Sequence, residues 1–261
     1  VEVTLRLVPQ LADPLTAVAT FPDEAAAASV VAEFMASGAQ PSMLEMLDGA
    51  TLAMLNDYGD FGLDADAGAM LLVQSDGSGD AATAQREVAA FSDIAEAGGA
   101  LDVAASDDAA DSEALVATRR LAHQAYEKYA NEHGGGQLMD DVCLPRAQMA
   151  AFFDRLATLR AETGVVVAVV AHAGDGNLHP AVFFDVADDD QASRAHAVFD
   201  DLMQLGLDLG GTITGEHGVG YLKRQWLARE LDPVTQQMHW AVKNALDPQG
   251  ILNPGKMLGV L

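Results

Sequence analysis

Apolar and polar positions alternate with period two through VEVTLRLV at the start of the chain and again through LTAVATF, and each stretch reads as a strand. The period then changes. PDEAAAASVVAEFMASG is rich in helix formers, acidic at its start and ends in Gly38, which predicts a helix. SMLEML reads as a strand, ATLAMLNDYG as a short helix, and AMLLVQSDG as an apolar strand closed by a turn. Residues 80–97 predict a helix stopped by Gly98 and Gly99, and LDVAAS a further strand. One long helix is expected over 109–132, ending in HGGG, with Leu115, Ala122 and Tyr126 along its inward stripe.

QLMDDVCLP predicts a strand that Pro145 stops. In RAQMAAFFDRLATLRAETG, Met149, Phe152, Phe153 and Leu156 recur at helical spacing, with Gly164 past the end. VVVAVVAH and AVFFDV flank a Gly-Asp-Gly-Asn turn and predict a hairpin. DDDQASRAHAVFDDLMQLGLDLGG is a helix with an acidic first turn. GTITGEHGVG is a glycine-rich loop, YLKRQWLARE a helix, and DPVTQQMHWAVKNAL a helix capped by Asp232 with Pro233 in its first turn. The tail ILNPGKML is irregular.

Strands joined by hairpins, with no glycine-rich phosphate loop after the first strand, predict an α+β fold. The expected layout is a mostly antiparallel sheet of ferredoxin-like type with helices on one face. Residues 1–215 would form the sheet domain, and 216–261 a helical cap carrying the Glu-His loop and the NPGK tail. No sequence repeat stands out.

Composition narrows the function. Fourteen basic against thirty-nine acidic residues give a net charge of −25, a poor surface for nucleic acid or anionic lipid. The single cysteine, Cys143, excludes an internal disulfide and a cysteine-based zinc site, and it reads as a small buried apolar residue. The longest apolar run, VVVAVVA at 165–171, falls far short of the ~20 residues of a spanning helix. No transmembrane segment is expected. The location expected is cytoplasmic, with peripheral membrane attachment left open. A start without Met, in mid-strand, suggests a piece of a longer protein.

The candidate chemistry sits in a few clusters. His172 and His179 bracket the GDGN turn, so a tight hairpin would aim both rings at one ion. Asp175 would then support a ring nitrogen or simply make the turn. On spacing alone, a metal clamp and incidental edge histidines are equally good accounts. In TGEHGVG, an extended backbone would turn Glu216 and His217 to opposite sides. Glu216 would complete a three-ligand site with an open position, leaving His217 for a substrate. Read alone, the pair is better explained as a solvated surface loop. Of Arg119 and Arg120, one is expected to grip a carboxylate and the other to pair with an acid such as Glu113. Lys223 or Arg224 could face an anion, while Trp226 reads as core. His123, His133, His196 and His239 read as structural or surface residues. The NPGK turn says little by itself.

Taken in order, AHAGDGNLHP, TGEHGVGYLKRQWL and ALDPQGILNPGK resemble the C-terminal domain of the FAD-linked 2-hydroxy-acid oxidases and dehydrogenases. That family includes the glycolate oxidase flavin subunit, D-lactate dehydrogenase and D-2-hydroxyglutarate dehydrogenase. PSMLEMLD, SEALVATRR and MDDVCLPRAQM look like family segments too. The resemblance implies that His172, His179 and Glu216 hold a divalent metal, zinc first among candidates, and that His217 takes the proton of the substrate hydroxyl. It implies that Arg119, with Arg120 beside it, binds the substrate carboxylate, and that Asn253 and Lys256 lie near the flavin. FAD would be bound mainly by an N-terminal domain that this chain lacks, since no glycine-rich pyrophosphate segment occurs in the 261 residues. That domain, a small 2-hydroxy acid and an iron-sulfur or quinone electron acceptor are the implied partners. Alone, the chain should turn over nothing.

The sequence departs from the family at Val116, where a tryptophan is usual. It departs again at Met139 and Ala181, where the hydroxyglutarate enzymes carry lysine and asparagine. Those two changes favour a monocarboxylate such as lactate or glycolate. Two other readings stand beside this one. The chain could be a stand-alone metal hydrolase using the same His/His/Glu site, or a non-catalytic interaction domain.

Overall fold

The computed structural model describes residues 2–7, 14–106 and 109–258, without the side chains of 109–111 and 115. Eight strands build one sheet: β1 (Leu15–Phe21), β2 (Met43–Asp48), β3 (Ala69–Ser75), β4 (Asp102–Ser106), β5 (Gly135–Met139), β6 (Val142–Cys143), β7 (Val166–His172) and β8 (Asn177–Asp185). The order is β4-β1-β3-β2-β7-β8-β5, with β6 following β5 along the same edge of β8. Every strand pairing among the described residues is antiparallel. The helices are α1 (Glu24–Ala36), α2 (Gly49–Tyr58), α3 (Ala81–Ala97), α4 (Ala109–Arg120), α5 (Ala122–Glu132), α6 (Met149–Thr163), α7 (Asp189–Asp208), α8 (Arg224–Glu230) and α9 (Pro233–Leu246).

The strand order contains a repetition that the amino acids do not. β1, α1, β2, β3, α3 and β4 form one ferredoxin-like unit with strands ordered β4-β1-β3-β2. β6, α6, β7, β8 and α7 follow the same path, and the bridge between Cys143 and Thr212 takes the place of the fourth strand. The two units join edge to edge through β2 and β7. Only three residue pairs make that seam: Glu45 with His172, Met46 with Ala171, and Leu47 with Val170.

Both faces of the sheet are covered, which corrects the expected one-face layout. Ala17, Ala19, Phe21, Met46, Leu71, Val169, Ala171 and Val182 face a core completed by Phe34, Phe91, Phe152, Leu156 and Leu202 of α1, α3, α6 and α7. The alternate residues Leu47, Met70, Ala168, Val170, Ala181 and Phe183 pack under Leu52 and Leu55 of α2 and Ala122, Ala125 and Tyr126 of α5. A strand buried on two sides has no polar face, so AMLLV and VVVAVVA read as unbroken apolar runs.

Other expectations shift locally. VEVTLRLV is not a strand where described: residues 2–7 are exposed and pair with no neighbour, so alternation alone did not give them a ladder. The long helix breaks at Leu121, whose N–H bonds to Thr118 while its carbonyl accepts from Ala125. That break lets α5 bury Ala122, Ala125 and Tyr126 while Arg119 turns to β2. The Leu115 side chain lies outside the described residues. QLMDDVCLP is two strands, interrupted at Asp140 and Asp141, which are buried. Beyond residue 215, Val219, Trp226 and Leu227 join the main core, whereas α9 buries no side chain.

Much of the acidity is structural. Asp23, Asp48, Asp80, Asp188 and Asp232 each accept backbone N–H groups at the start of α1, α2, α3, α7 and α9. Asp48 is fully buried, and burial raises its pKa even though the Arg160 charge pulls it down. Arg160 reaches Asp48 at 2.5 Å and Glu24 at 2.6 Å, and donates to the Val167 carbonyl. On its other oxygen Asp48 accepts from Thr51, whose hydroxyl meets the Tyr126 hydroxyl at 2.5 Å. Arg160→Met strands this carboxylate in the core. The expected loss is about 3–5 kcal/mol of unfolding free energy, read by urea titration. A loss under about 1 kcal/mol would show that Arg160 is dispensable to the buried acid.

Candidate active site

The hairpin places the histidines by register. His172 is the partner of Asn177, and His179 that of Val170, so the two rings are diagonal neighbours on the α2/α5 face. Their centroids are 5.1 Å apart, nearly perpendicular. The turn needs Gly176: its φ is +74° and a Cβ there would collide with the Leu144 carbonyl. Asp175 is exposed and shapes the turn through its backbone N–H, which donates to His172.

Glu216 arrives from the glycine-rich loop. Its Oε1 lies 3.3 Å from His172 Nε2 and 3.1 Å from His179 Nε2. One nitrogen or oxygen from each of the three residues falls within 4.8 Å of the others. His217 stacks on His179 at 4.8 Å between centroids, with its Nε2 3.8 Å from Glu216 Oε1. Glu216 and His217 therefore share one side, which corrects the extended-backbone argument. The backbone is curled: the N–H groups of Gly215, Glu216 and His217 all donate to a single oxygen, Oδ2 of Asp141, at 2.7, 2.6 and 2.9 Å. In an extended chain successive N–H groups diverge and could not meet one acceptor.

Asp141 was not singled out by the sequence, and the loop hangs on it. It is fully buried, and its other oxygen takes Lys223 Nζ at 2.5 Å. Burial works to raise its pKa, but Lys223 and the backbone N–H groups hold it far below the carboxylate range. Lys223 also reaches Asp140 at 2.7 Å. Burial pushes Asp140 up to about 6 despite that partner. Lys223 is thus an internal pin, its ammonium spent on two buried carboxylates of the chain rather than held out to an anionic ligand. Arg224 donates to the Gly255 carbonyl and lies over the Tyr221 ring. Trp226 is core, as its pattern suggested.

Glu45 is the second residue that sequence reasoning passed over, although its segment was noticed. Its Oε1 accepts from His172 Nδ1 at 2.7 Å, and its Oε2 takes both Nε and Nη2 of Arg119 at 2.7 Å. Burial works to raise the Glu45 pKa, but the His172 hydrogen bond and the Arg119 charge outweigh it and keep the carboxyl ionised. The same bond raises His172. Burial, aided by the nearby His172 and His217, pushes His179 down to about 4, so this imidazole is neutral at physiological pH.

Arg119 is brought to the cluster through Glu45, and Arg120 is not. Arg120 pairs with exposed Glu113 at 2.9 Å. Asn253 and Lys256 lie on the tail that lines a cleft of about 920 Å³ along α9, together with Trp240, Leu246 and Leu252. Lys256 Nζ rests 4.8 Å from the Tyr221 ring centroid, and no contact joins either residue to the imidazoles among the described residues. Cys143 is half-buried, and burial raises its thiol pKa.

The family described as "FAD linked oxidases, C-terminal domain" matches residues 12–257, and the chain belongs to it. The glycolate oxidase subunit GlcD of Bacillus subtilis is 33% identical over 256 residues, 98% of this chain and 53% of that protein. The mitochondrial D-lactate dehydrogenase [cytochrome] of Arabidopsis thaliana is 31% identical over 98% of this chain and 44% of its own length. The chain thus spans about half the length of the relatives it matches. In shape it is similar to p-cresol methylhydroxylase with substrate bound, at a TM-score of 0.70 and 16% identity, over 97% of this chain and 54% of that one. The α+β fold, the antiparallel sheet and membership of the C-terminal domain family of FAD-linked oxidases all agree with the sequence reading. Among the described residues no helix is long and apolar enough to cross a membrane.

Asp141→Asn removes the charge that gathers three backbone donors. Amide exchange at Glu216 and His217 should accelerate by about tenfold to a hundredfold, the ~1.5–3 kcal/mol of a hydrogen bond to a charged group. Unchanged protection at both amides would show that the loop holds its curl without Asp141.

Proposed function

We propose that this chain is the substrate- and metal-binding half of a flavin-dependent enzyme that oxidises a short 2-hydroxy acid, of lactate or glycolate type, to the 2-oxo acid. The observation that carries the reading is the convergence of His172, His179 and Glu216 within 4.8 Å, with the His217 ring stacked beside them. The donor set fits a divalent cation: two imidazoles and a carboxylate are zinc-type ligands. His179 is kept neutral, and its Nδ1 is buried without a hydrogen-bond partner. His172, His179 and Glu216 would hold the ion.

When bound, the cation supplies a Lewis acid to the substrate's oxygens and the flavin supplies the acceptor for the α-hydrogen. The chain's own residues do the rest. Arg119 keeps Nη1 outside its pairing with Glu45 and binds the substrate carboxylate there. His217, about half exposed beside Glu216, accepts the proton of the substrate hydroxyl. Buried Asp141 holds the loop that carries both Glu216 and His217. A substrate without a second charged group suits the neighbouring wall. Met139 and Ala181 are direct partners across β5 and β8, and Ala181 lies on the face that carries His179 and is fully buried. Neither offers a cation to a second carboxylate. FAD is the cofactor of the family. The half that would hold its pyrophosphate belongs to the remaining length of a full-size relative. Asn253 and Lys256, on the α9 cleft, would approach the flavin from this side.

The test uses the full-length protein. It should be yellow, and lactate or glycolate should bleach it. His217→Ala should keep the flavin and lower the reduction rate by about 10²–10⁴-fold, the span of general-base catalysis. A colourless protein that hydrolyses an ester would replace this reading with a metal hydrolase. His217→Ala without effect on reduction would remove the assigned base. Separately, this chain should take up Zn²⁺, and His172→Ala together with His179→Ala should abolish uptake. Uptake that survives the double substitution would place the ion elsewhere.

A further inference from the structure

We infer that Glu45 is a positioning residue that sets two functional groups at once: it fixes the imidazole of His172 with Nε2 toward the cation position, and it anchors Arg119 beside it. The inference rests on the metal reading above and assigns a role to a residue that touches neither substrate nor cation.

The geometry is specific. Glu45 sits on β2 directly opposite His172 on β7, at the seam between the two ferredoxin-like units. Its side chain is 8% exposed, and burying a carboxylate is costly unless its oxygens are satisfied. Here each oxygen has its own partner: Oε1 has the His172 ring, and Oε2 has the Arg119 fork. A carboxylate only accepts, so the His172 ring must donate from Nδ1. In the neutral ring the lone pair then lies on Nε2, the atom 3.3 Å from Glu216. A carboxylate behind a ligating imidazole in this way orients the ring and increases its basicity. Arg119 needs the same acid for a different reason. It enters from α4, and no other partner holds it among the described residues. Nε and Nη2 are spent on Glu45, which leaves Nη1 as its outer edge. The reach of one glutamate therefore sets the distance between the anion-binding edge and the cation position.

Two measurements decide the matter. Nitrogen-15 NMR of the wild-type chain at alkaline pH, where the rings are neutral, should show His172 as the Nδ1–H tautomer. An Nε2–H tautomer would overturn the proposal with no substitution involved. Titration with Co²⁺, followed by its visible spectrum, should show Glu45→Gln binding about 10–100-fold more weakly than wild type. Glu113→Gln, at the exposed partner of Arg120, should bind as wild type does. In the full-length protein Glu45→Gln should also raise KM for the hydroxy acid, because the amide cannot hold Arg119 by charge. Equal Co²⁺ affinity in wild type and Glu45→Gln overturns the proposal while the metal reading stands. A wild-type chain that takes up no Co²⁺ overturns the metal reading and the metal half of this proposal together. Should Glu45→Gln fail to fold, Glu45→Asp keeps the charge and shortens the reach. It should fold and still weaken Co²⁺, and undiminished affinity there counts against the proposal.

Discussion

Three residue pairs between β2 and β7 join the two halves of the sheet, and they set Glu45 against His172 at the site. A seam this short has little ladder to spend, so its side chains must reinforce it. On one face Met46 and Ala171 join the continuous apolar core, and on the other Leu47 and Val170 join the smaller one. At the end of the seam the pair is polar: Glu45 faces His172. Strands from the two units thus contribute opposite ends of one hydrogen bond: the second unit and the loop after it carry the imidazoles and Glu216, and the first supplies the glutamate behind His172.

The chain's charge imbalance takes on meaning at this level. With 14 basic residues against 39 acidic ones, cations are scarce. Four of them go to buried carboxylates: Arg119 to Glu45, Arg160 to Asp48, Lys223 to Asp141 and Lys243 to Asp247. Exposed ion pairs such as that of Arg120 and Glu113 contribute about 0–1 kcal/mol. Breaking a buried pair costs several times more. Each buried acid also does something besides pairing. Asp48 caps α2, Asp141 gathers the loop of Glu216 and His217, and Glu45 meets His172. The cations are placed where an unpaired acid would be most damaging.

What the sequence revealed follows from how far each signal reaches. Period and capping residues act within a few positions, so β1, α1, β3 and α9 were legible from the residues that form them. Glycine spacing showed the His172–His179 turn for the same reason. Glu45 and Asp141 were hidden because their partners are 127 and about 75 positions away in the chain. Nothing local distinguishes an acid that will be buried from one that will be solvated. The Asp140-Asp141 doublet inside QLMDDVCLP was the one available cue, since two acids in a strand with Pro close behind are unusual there. The second core was missed because a strand covered on both faces shows no alternation to read. The ferredoxin-like repeat was missed because it is conserved only as a path of strands.

The four groups of the cluster are graded from sheet to surface. The His179 side chain is 7% exposed, His172 33%, His217 46% and Glu216 50%. The gradient follows their supports. The two histidines of lower exposure lie on neighbouring interior strands, and the most open groups lie on a loop held from below by Asp141. On the proposed reading this separates two demands that oppose each other. The metal-facing imidazole needs burial, which keeps it neutral and its lone pair free. The base needs access, because it must receive a proton and release it again. A flat site could not meet both at neighbouring rings 4.8 Å apart. Raising one ring on a curled loop above the other does so, and the loop keeps its curl because a fully buried aspartate accepts three of its N–H groups.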